Sequence, residues 1–365
     1  MTDQELLDLL TLTSVPKVGD QLAKVLIAHC GTAGAVLSEH AGNLRKIQGI
    51  GETTVRNIMN VDRLQPEKEL SYIKKNGISV HVYYEDNYPF RLKQTDQCPV
   101  LYYYKGQDVL NHQRTVAVVG TRTPTAYGKQ ACEQLIEALI PFQPVIISGL
   151  AYGIDSIAHK SSLNHGLPTV GIMGQAMEKI YPAENIPLAR KMQETGGILT
   201  EFRSGTGPDK ENFPMRNRII AGLSDVVIVV ESKIKGGSVI TAEFANEYNR
   251  DVFALPGKTS DEFSAGCNKL IKQHKAHLLE SVDDIAYIMR WELKSHQKTI
   301  QSTLFPDLTS DEQNIFQLIH MAKEMTMDQL IEKTAWPSAR VSSLLLSLEF
   351  KNMVKALPGK KYIAI

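Results

Sequence analysis

The chain has 365 residues, 43% hydrophobic and 22% charged, with 40 basic and 40 acidic side chains and a formal net charge of zero. That length suits two or three globular domains, and the neutral balance means that a polyanion site here is a local patch rather than a property of the whole surface. A bilayer-spanning helix is excluded, since the most apolar run is VVIVV at 226–230, far short of the ~20 residues a membrane needs.

In chain order, the opening MTDQELLDLL is acidic and lacks the basic-then-apolar order of a signal peptide. A gapless repeat follows, Val15-Pro-Lys-Val-Gly19 continuing to Leu26 and Ile47-Gln-Gly-Ile-Gly51 continuing to Ile58. Each copy places a glycine before apolar residues at helical spacing. This resembles a helix–hairpin–helix, whose turn exposes backbone N–H groups to a phosphate. A plain αα-hairpin also wants that glycine, and Lys17 stands where a second hairpin glycine often sits. Residues 1–70 are therefore read as a small helical domain, of helix–hairpin–helix or SAM-like type.

Strand-like runs occur at 78–84 and 99–104. Apolar runs then alternate with helical stretches: TVAVV at 115–119, PVII at 144–147, TVGIM at 169–173, GILT at 197–200, DVVIVV at 225–230 and DVFAL at 251–255. Continuous β-branched runs predict strands buried on both faces. Their alternation with helices predicts an α/β domain with a mostly parallel, Rossmann-like sheet over 75–288, with ligands at the C-terminal strand edge. Residues 289–306 are polar and read as a linker. In 307–365, Ser310 and Asp311 are expected to cap a helix through His320, a second helix covers 327–334, and a third begins at Pro337 with Val341, Leu344, Leu345 and Leu348 on one face. Two short β runs flank Pro358-Gly359-Lys360, giving a winged helix. Only Arg340 and Lys351 charge its presumed recognition helix, which favours a protein-contact module over a DNA reader.

The chemistry concentrates at three strand-to-helix turns. VGTR at 119–122 offers one glycine and the planar cation of Arg122; Ser148-Gly149 ends the next strand. The pattern is not GxGxxG and no acidic residue ends the second strand, so a dinucleotide cofactor is not expected. Lys210-Glu-Asn-Phe213-Pro-Met-Arg216-Asn217-Arg218 places cations around an aromatic ring, the mixture a single strand of nucleic acid wants. Phe213 as core and the arginines as braces for Glu201 or Glu231 is an equal reading. Gly236-Gly237-Ser238 begins a further helix as an anion nest. Asp155 and His159 sit four apart, where a capping Asp and a packed His are preferred over an acid–base pair.

Taken together, VGTR (119–122), SGLAYGID (148–155), AH (158–159), YP-x-x-N (181–185), FP-x-RNRIIAGLS (213–224), GGS-x-IT (236–241) and PG (256–257) closely resemble the DNA processing protein A (DprA/Smf) family over about 85–290. The resemblance implies a protein that binds single-stranded DNA, dimerises through the Rossmann-like domain and loads the RecA recombinase in natural transformation, with no cofactor and no catalysis. It carries the family's DNA pocket onto Arg122, Ser148, Gly149, Lys210, Phe213, Arg216, Asn217 and Arg218, to which the glycine nest adds Gly237 and Ser238. The basic residue often found near YP-x-x-N has no counterpart in Tyr181-Pro-Ala-Glu-Asn185.

The competing enzyme reading rests on a looser likeness to nucleotide phosphoribohydrolases of the lysine-decarboxylase-like type. It would couple Arg122 or Arg216 to Glu243, although PGG-x-GT-x-x-E is not reproduced. Cys30, Cys98, Cys132 and Cys267 are far apart with no CxxC, so neither a disulfide framework nor a zinc site is expected. A reducing cytoplasm is the expected compartment.

Overall fold

A computed structural model describes residues 1–292, 308–351, 353–357 and 360–364. It divides into two compact units, Met1–Leu293 and Lys294–Ile365. The larger is an α/β unit built on nine strands: β1 Ser79–Val82, β2 Leu101–Gly106, β3 Thr115–Val119, β4 Val145–Ser148, β5 Thr169–Ile172, β6 Gly197–Thr200, β7 Val226–Val229, β8 Asp251–Ala254 and β9 His277–Leu278. Their spatial order is β1-β2-β6-β5-β4-β3-β7-β8-β9. The strands from β6 to β9 run parallel, while β2 is antiparallel to both β6 and β1.

Every residue of β3, β4, β5, β6 and β7 is buried, because helices cover both faces. Val116, Val118, Ile146 and Ile228 pack with Cys132, Ile136, Ile154 and Ala158 on one side. Ala117, Val119, Ile147 and Val229 pack with Ile219, Ile220, Ala242 and Ala245 on the other. Period-two alternation within a wholly apolar run thus sorts neighbouring residues into two separate cores. After β3 the chain builds outward to β4, β5 and β6, then returns to place β7 on the other side of β3. This reversal opens a crevice beyond the carboxyl ends of β3 and β7, where open α/β sheets bind ligands.

The N-terminal helices do not stand apart from the sheet. Leu9, Leu26, Val36, Leu44 and Val55 share one core with Val82, Val100, Tyr103, Met173 and Ile198. The first hairpin docks by its turn. Asp20 opens the helix Asp20–Cys30, accepts the Val100 amide at 2.9 Å and lies 3.5 Å from Arg218. Lys24 donates to the Cys98 carbonyl at 2.5 Å, and Gln21 reaches the Asp96 carbonyl. Side chains of the first turns of this helix thus tie the hairpin to residues 96–100, the segment leading into β2. Lys17 takes the left-handed conformation at φ 71°, which is why the turn closes there without a second glycine.

The smaller unit has helices Ser310–Ala322, Met327–Thr334 and Ser338–Phe350 and a three-stranded sheet of β10 Met325–Thr326, β11 Val354–Leu357 and β12 Lys361–Ala364 in the order β10-β12-β11. It is a winged helix. Val341, Leu345 and Leu348 are buried against Ile315, Ile319 and Leu330, as their spacing predicts, with Leu344 partly buried. The first helix is capped by Thr309 rather than Ser310 or Asp311: Glu312 returns its carboxylate to the Thr309 amide at 2.8 Å, completing a capping box. Arg340 pairs with Asp311 and lies 4.4 Å over the Trp336 ring, and Lys351 pairs with Glu312 at 2.8 Å. Most of the expected linker, with Pro358 and Gly359 of the wing turn, lies outside the described residues. Among the described residues no helix is long and apolar enough to cross a membrane.

Candidate nucleic-acid interface

The crevice at the β3/β7 reversal has a volume of about 680 Å³. Its walls are the turn after β3, Ala151 and Asp155 beyond β4, the glycine turn before the helix Gly237–Glu247, and the start of the helix Asn212–Gly222. Past β3 the chain turns through Gly120 and Thr121, and the Thr121 carbonyl accepts the Ile154 amide at 3.1 Å. Gly153, at φ 78°, permits that approach, since a Cβ there would lie 2.3 Å from the Thr121 oxygen. Arg122 is held at the mouth, exposed, and makes no ion pair with the described residues. Its guanidinium carbon lies 5.0 Å from the Phe213 ring centroid.

Phe213 is neither core nor fully exposed. Arg216 lies 6.0 Å from its centroid, and the Tyr181 ring is 6.2 Å away. Lys210 and Lys235 are exposed along the crevice, and Lys233 joins them there, though it also pairs with Glu262 at 2.9 Å. Five cations therefore line the crevice, Arg122, Lys210, Arg216, Lys233 and Lys235, against one carboxylate, Asp155. A chain with zero net charge thus concentrates positive charge in one place. The helix Gly237–Glu247 opens onto the crevice with no side-chain cap, so its first amides and positive dipole end are open to an anion. Ser238 uses its hydroxyl on Ser232 Oγ at 2.8 Å, and Asn217 donates to the Gly237 carbonyl at 3.1 Å.

Beneath the crevice, Arg216 is only 3% exposed and donates from Nη1 to the carbonyls of Gly149 and Ile172. Burial lowers its pKa to about 10, which leaves it charged at neutral pH. Gly149 is required by this packing, since a Cβ there would sit 2.5 Å from both Arg216 Nη1 and Asp155 Oδ2. Burial raises the Asp155 carboxyl pKa, and the nearby positive charge of Arg216 opposes that shift. Asp155 is not the helix cap, which is Gly153; it accepts the Ala151 amide at 3.4 Å. His159 is fully buried. Its Nδ1 lies 2.6 Å from Thr169 Oγ1, whose own proton goes to the Ile146 carbonyl, so Nδ1 is the donor and the ring is the neutral Nδ1–H tautomer. Burial lowers its pKa to about 3, which suits a packed histidine.

Three expected contacts sit elsewhere. Ser148 is fully buried and donates to the Val118 carbonyl at 2.6 Å, and Gly149 lies under the floor as a carbonyl acceptor. Arg218 points away from the crevice, pairing with Glu201 and Asp20 and donating to the Gln97 carbonyl at 2.6 Å. Helical spacing explains the split: Phe213, Arg216, Asn217 and Ile220 share one face, and Arg218 is turned about 100° from Asn217. None of these three lines the crevice; they build its floor and its brace. Lys233, Lys235 and Tyr181 went unassigned in the sequence, although Lys-x-Lys directly before the paired glycines was a readable signal. Glu243, needed for the enzyme reading, lies outside the crevice, 3.8 Å from Lys275. Among the described residues no cluster of three or more His, Cys, Asp or Glu is placed to hold a metal ion.

Comparison with known proteins agrees with this architecture. The family described as DNA recombination-mediator protein A matches residues 79–290, the DprA winged helix domain matches 302–360, and a SAM-like helix-hairpin-helix tandem matches 9–61. The chain is 42% identical over 217 residues to the DNA processing protein DprA of Bacillus subtilis, covering 59% of this chain and 73% of that one. The crystal structure of DprA from Streptococcus pneumoniae superposes with a TM-score of 0.68 at 33% identity, covering 79% of this chain and 98% of that chain. DNA processing protein A from Helicobacter pylori, described for its single-stranded DNA binding mode, superposes at 0.53 with 30% identity, covering 58% and 95%.

Proposed function

The chain belongs to the DNA recombination-mediator protein A (DprA/Smf) family, and on that premise we propose that its crevice binds single-stranded DNA, which it protects and passes to the RecA recombinase during natural transformation. The observation that carries the proposal is Phe213, half-open beneath the exposed guanidinium of Arg122, with Lys210 at the rim. Cations and uncapped helix amides take phosphates while the ring takes a base, at ~1–3 kcal/mol per stacked base. Duplex DNA binds worse because its bases are already stacked and cannot reach the ring. The single-strand binding described for the Helicobacter pylori relative supports this.

In this reading the protein acts in the cytoplasm as a homodimer joined through the Rossmann-like domain, which places two crevices on one strand and raises affinity for longer strands through effective concentration. The reading assigns no catalytic step and no cofactor. The test is fluorescence anisotropy of labelled poly-dT against a duplex of equal length at two salt concentrations. Tight, salt-sensitive preference for the single strand is expected. Equal binding to both would sink the crevice reading.

A further inference from the structure

Next to the crevice lies a second cleft of about 730 Å³, and Arg122 lines both. We propose that the strand-binding surface continues from Phe213 past Tyr181 and Arg122, at the edge of the first crevice, into this second cleft, where Tyr152 takes a further base and Lys129 and Lys160 take phosphates. This rests on reading the first crevice as a single-strand site.

The aromatic residues form a continuous row. Phe213 and Tyr181 have ring centroids 6.2 Å apart with planes tilted by 55°, and Tyr181 and Tyr152 are 6.3 Å apart and edge-on at 81°. Both tyrosines are well exposed, at 44% and 42%, unlike Tyr88, Tyr102, Tyr103 and Tyr104 in the core. Bases in a duplex follow one another at about 3.4 Å along each strand, so rings at nearly twice that spacing, each turned against the next, suit an extended strand whose bases are spread apart and turned from one another. Sequence-tolerant stacking of successive bases on aromatic rings, beside a cationic track, is how single strands are held without base readout.

The cationic track is present. Lys129 projects from the helix Ala126–Leu139 and Lys160 from the helix Ile154–Asn164, and both line the second cleft. Both are exposed, and neither forms an ion pair with the described residues. The carboxylate in this cleft, Glu184, hydrogen-bonds the Tyr152 hydroxyl at 2.9 Å, which fixes the ring through its polar end. With Arg122, the second cleft sets three cations against that one engaged carboxylate.

The experiment compares a thymidylate trimer with a nonamer on the full chain and on Tyr152→Ala, Lys160→Ala and Lys160→Glu. All three substitutions are at exposed positions outside the first crevice. The wild type is expected to gain affinity from trimer to nonamer. Each variant is expected to lose about fivefold or more for the nonamer, with Lys160→Glu the worst, while trimer affinity and melting temperature stay at the wild-type value. Variants that bind the nonamer as the wild type does would overturn the second cleft and leave the first intact. A wild type that binds neither oligomer would overturn both readings together.

Discussion

Two regions of this molecule use the same local device, a glycine followed by a helix N-terminus, with opposite results. At Gly19 the helix Asp20–Cys30 begins with its own acidic residue, and Asp20 is consumed by the Val100 amide and Arg218. Neither helix has a side-chain cap, but the helix Gly237–Glu247 that follows Gly236 has no acidic residue in its first turn, and Arg122, Lys210 and Lys235 along the same crevice form no ion pair with the described residues. The first helix start is tied to the rest of the unit, and the second is the one proposed to receive a phosphate. A glycine turn therefore supplies the opportunity to bind, and neighbouring side chains decide whether it is already taken. The recognition helix of the winged unit belongs with the docked kind, since Arg340 and Lys351 are both engaged by carboxylates.

The sharpest way to break this comparison is Arg218→Ala. It removes the partner of buried Glu201 and of Asp20 and is expected to cost about 3–5 kcal/mol of stability, read by denaturant unfolding. Poly-dT affinity of the folded protein should stay within twofold; a large loss would return Arg218 to the binding surface. Asp20→Asn tests the same tie more gently, with an expected cost of about 1 kcal/mol. Arg122→Ala and Lys210→Ala are the converse. Each is expected to weaken binding by about 1.5–3 kcal/mol and to lower the salt slope by about one, with the melting temperature unchanged. A salt series parallel to wild type would remove that residue from the site.

Phe213→Ala is expected to cost ~1–3 kcal/mol in single-strand affinity while leaving the salt slope intact, which separates stacking from charge. The smallest effect concerns pH. His159 is neutral when folded, with its pKa lowered to about 3 from an ordinary value near 6.5. The unfolded chain therefore binds the proton first. The resulting stability is fully present above pH ~6.5 and is lost as pH falls towards 3, at no more than ~1.4 kcal/mol per pH unit. Between pH 6.5 and 5.5 the wild type should lose about 1 kcal/mol more than His159→Gln; equal losses would show that the ring charges freely in the fold.

The order of strands and helices was legible because it is a one-dimensional property. Continuous β-branched runs at 115–119 and 225–230 need two apolar coverings, and only helices on both faces provide them. The short strands β9 and β10 were missed, since two residues carry no periodicity. Arg122, Lys210 and Phe213 line the crevice, as expected of residues at a turn or helix start, where sequence and position in the fold coincide. Ser148 and Arg218 belong to the same motifs but do not line the crevice: Ser148 is a fully buried strand end, and Arg218 is turned about 100° round the helix from Asn217, distinctions that a motif does not carry.

By itself the sequence determined the α/β class and the helical and winged flanks, and it marked the strand-to-helix turns that gather round one crevice, because hydrophobic period and glycine placement act over a few residues. Only the tertiary structure decided which cations remained free. Arg122 and Arg218 both belong to the motifs read in the sequence, yet Arg122 stands exposed at the crevice with no ion pair among the described residues, whereas Arg218 is locked to Glu201 and Asp20. A charge is available for a ligand only when the fold brings no carboxylate to it, and those carboxylates come from elsewhere along the chain.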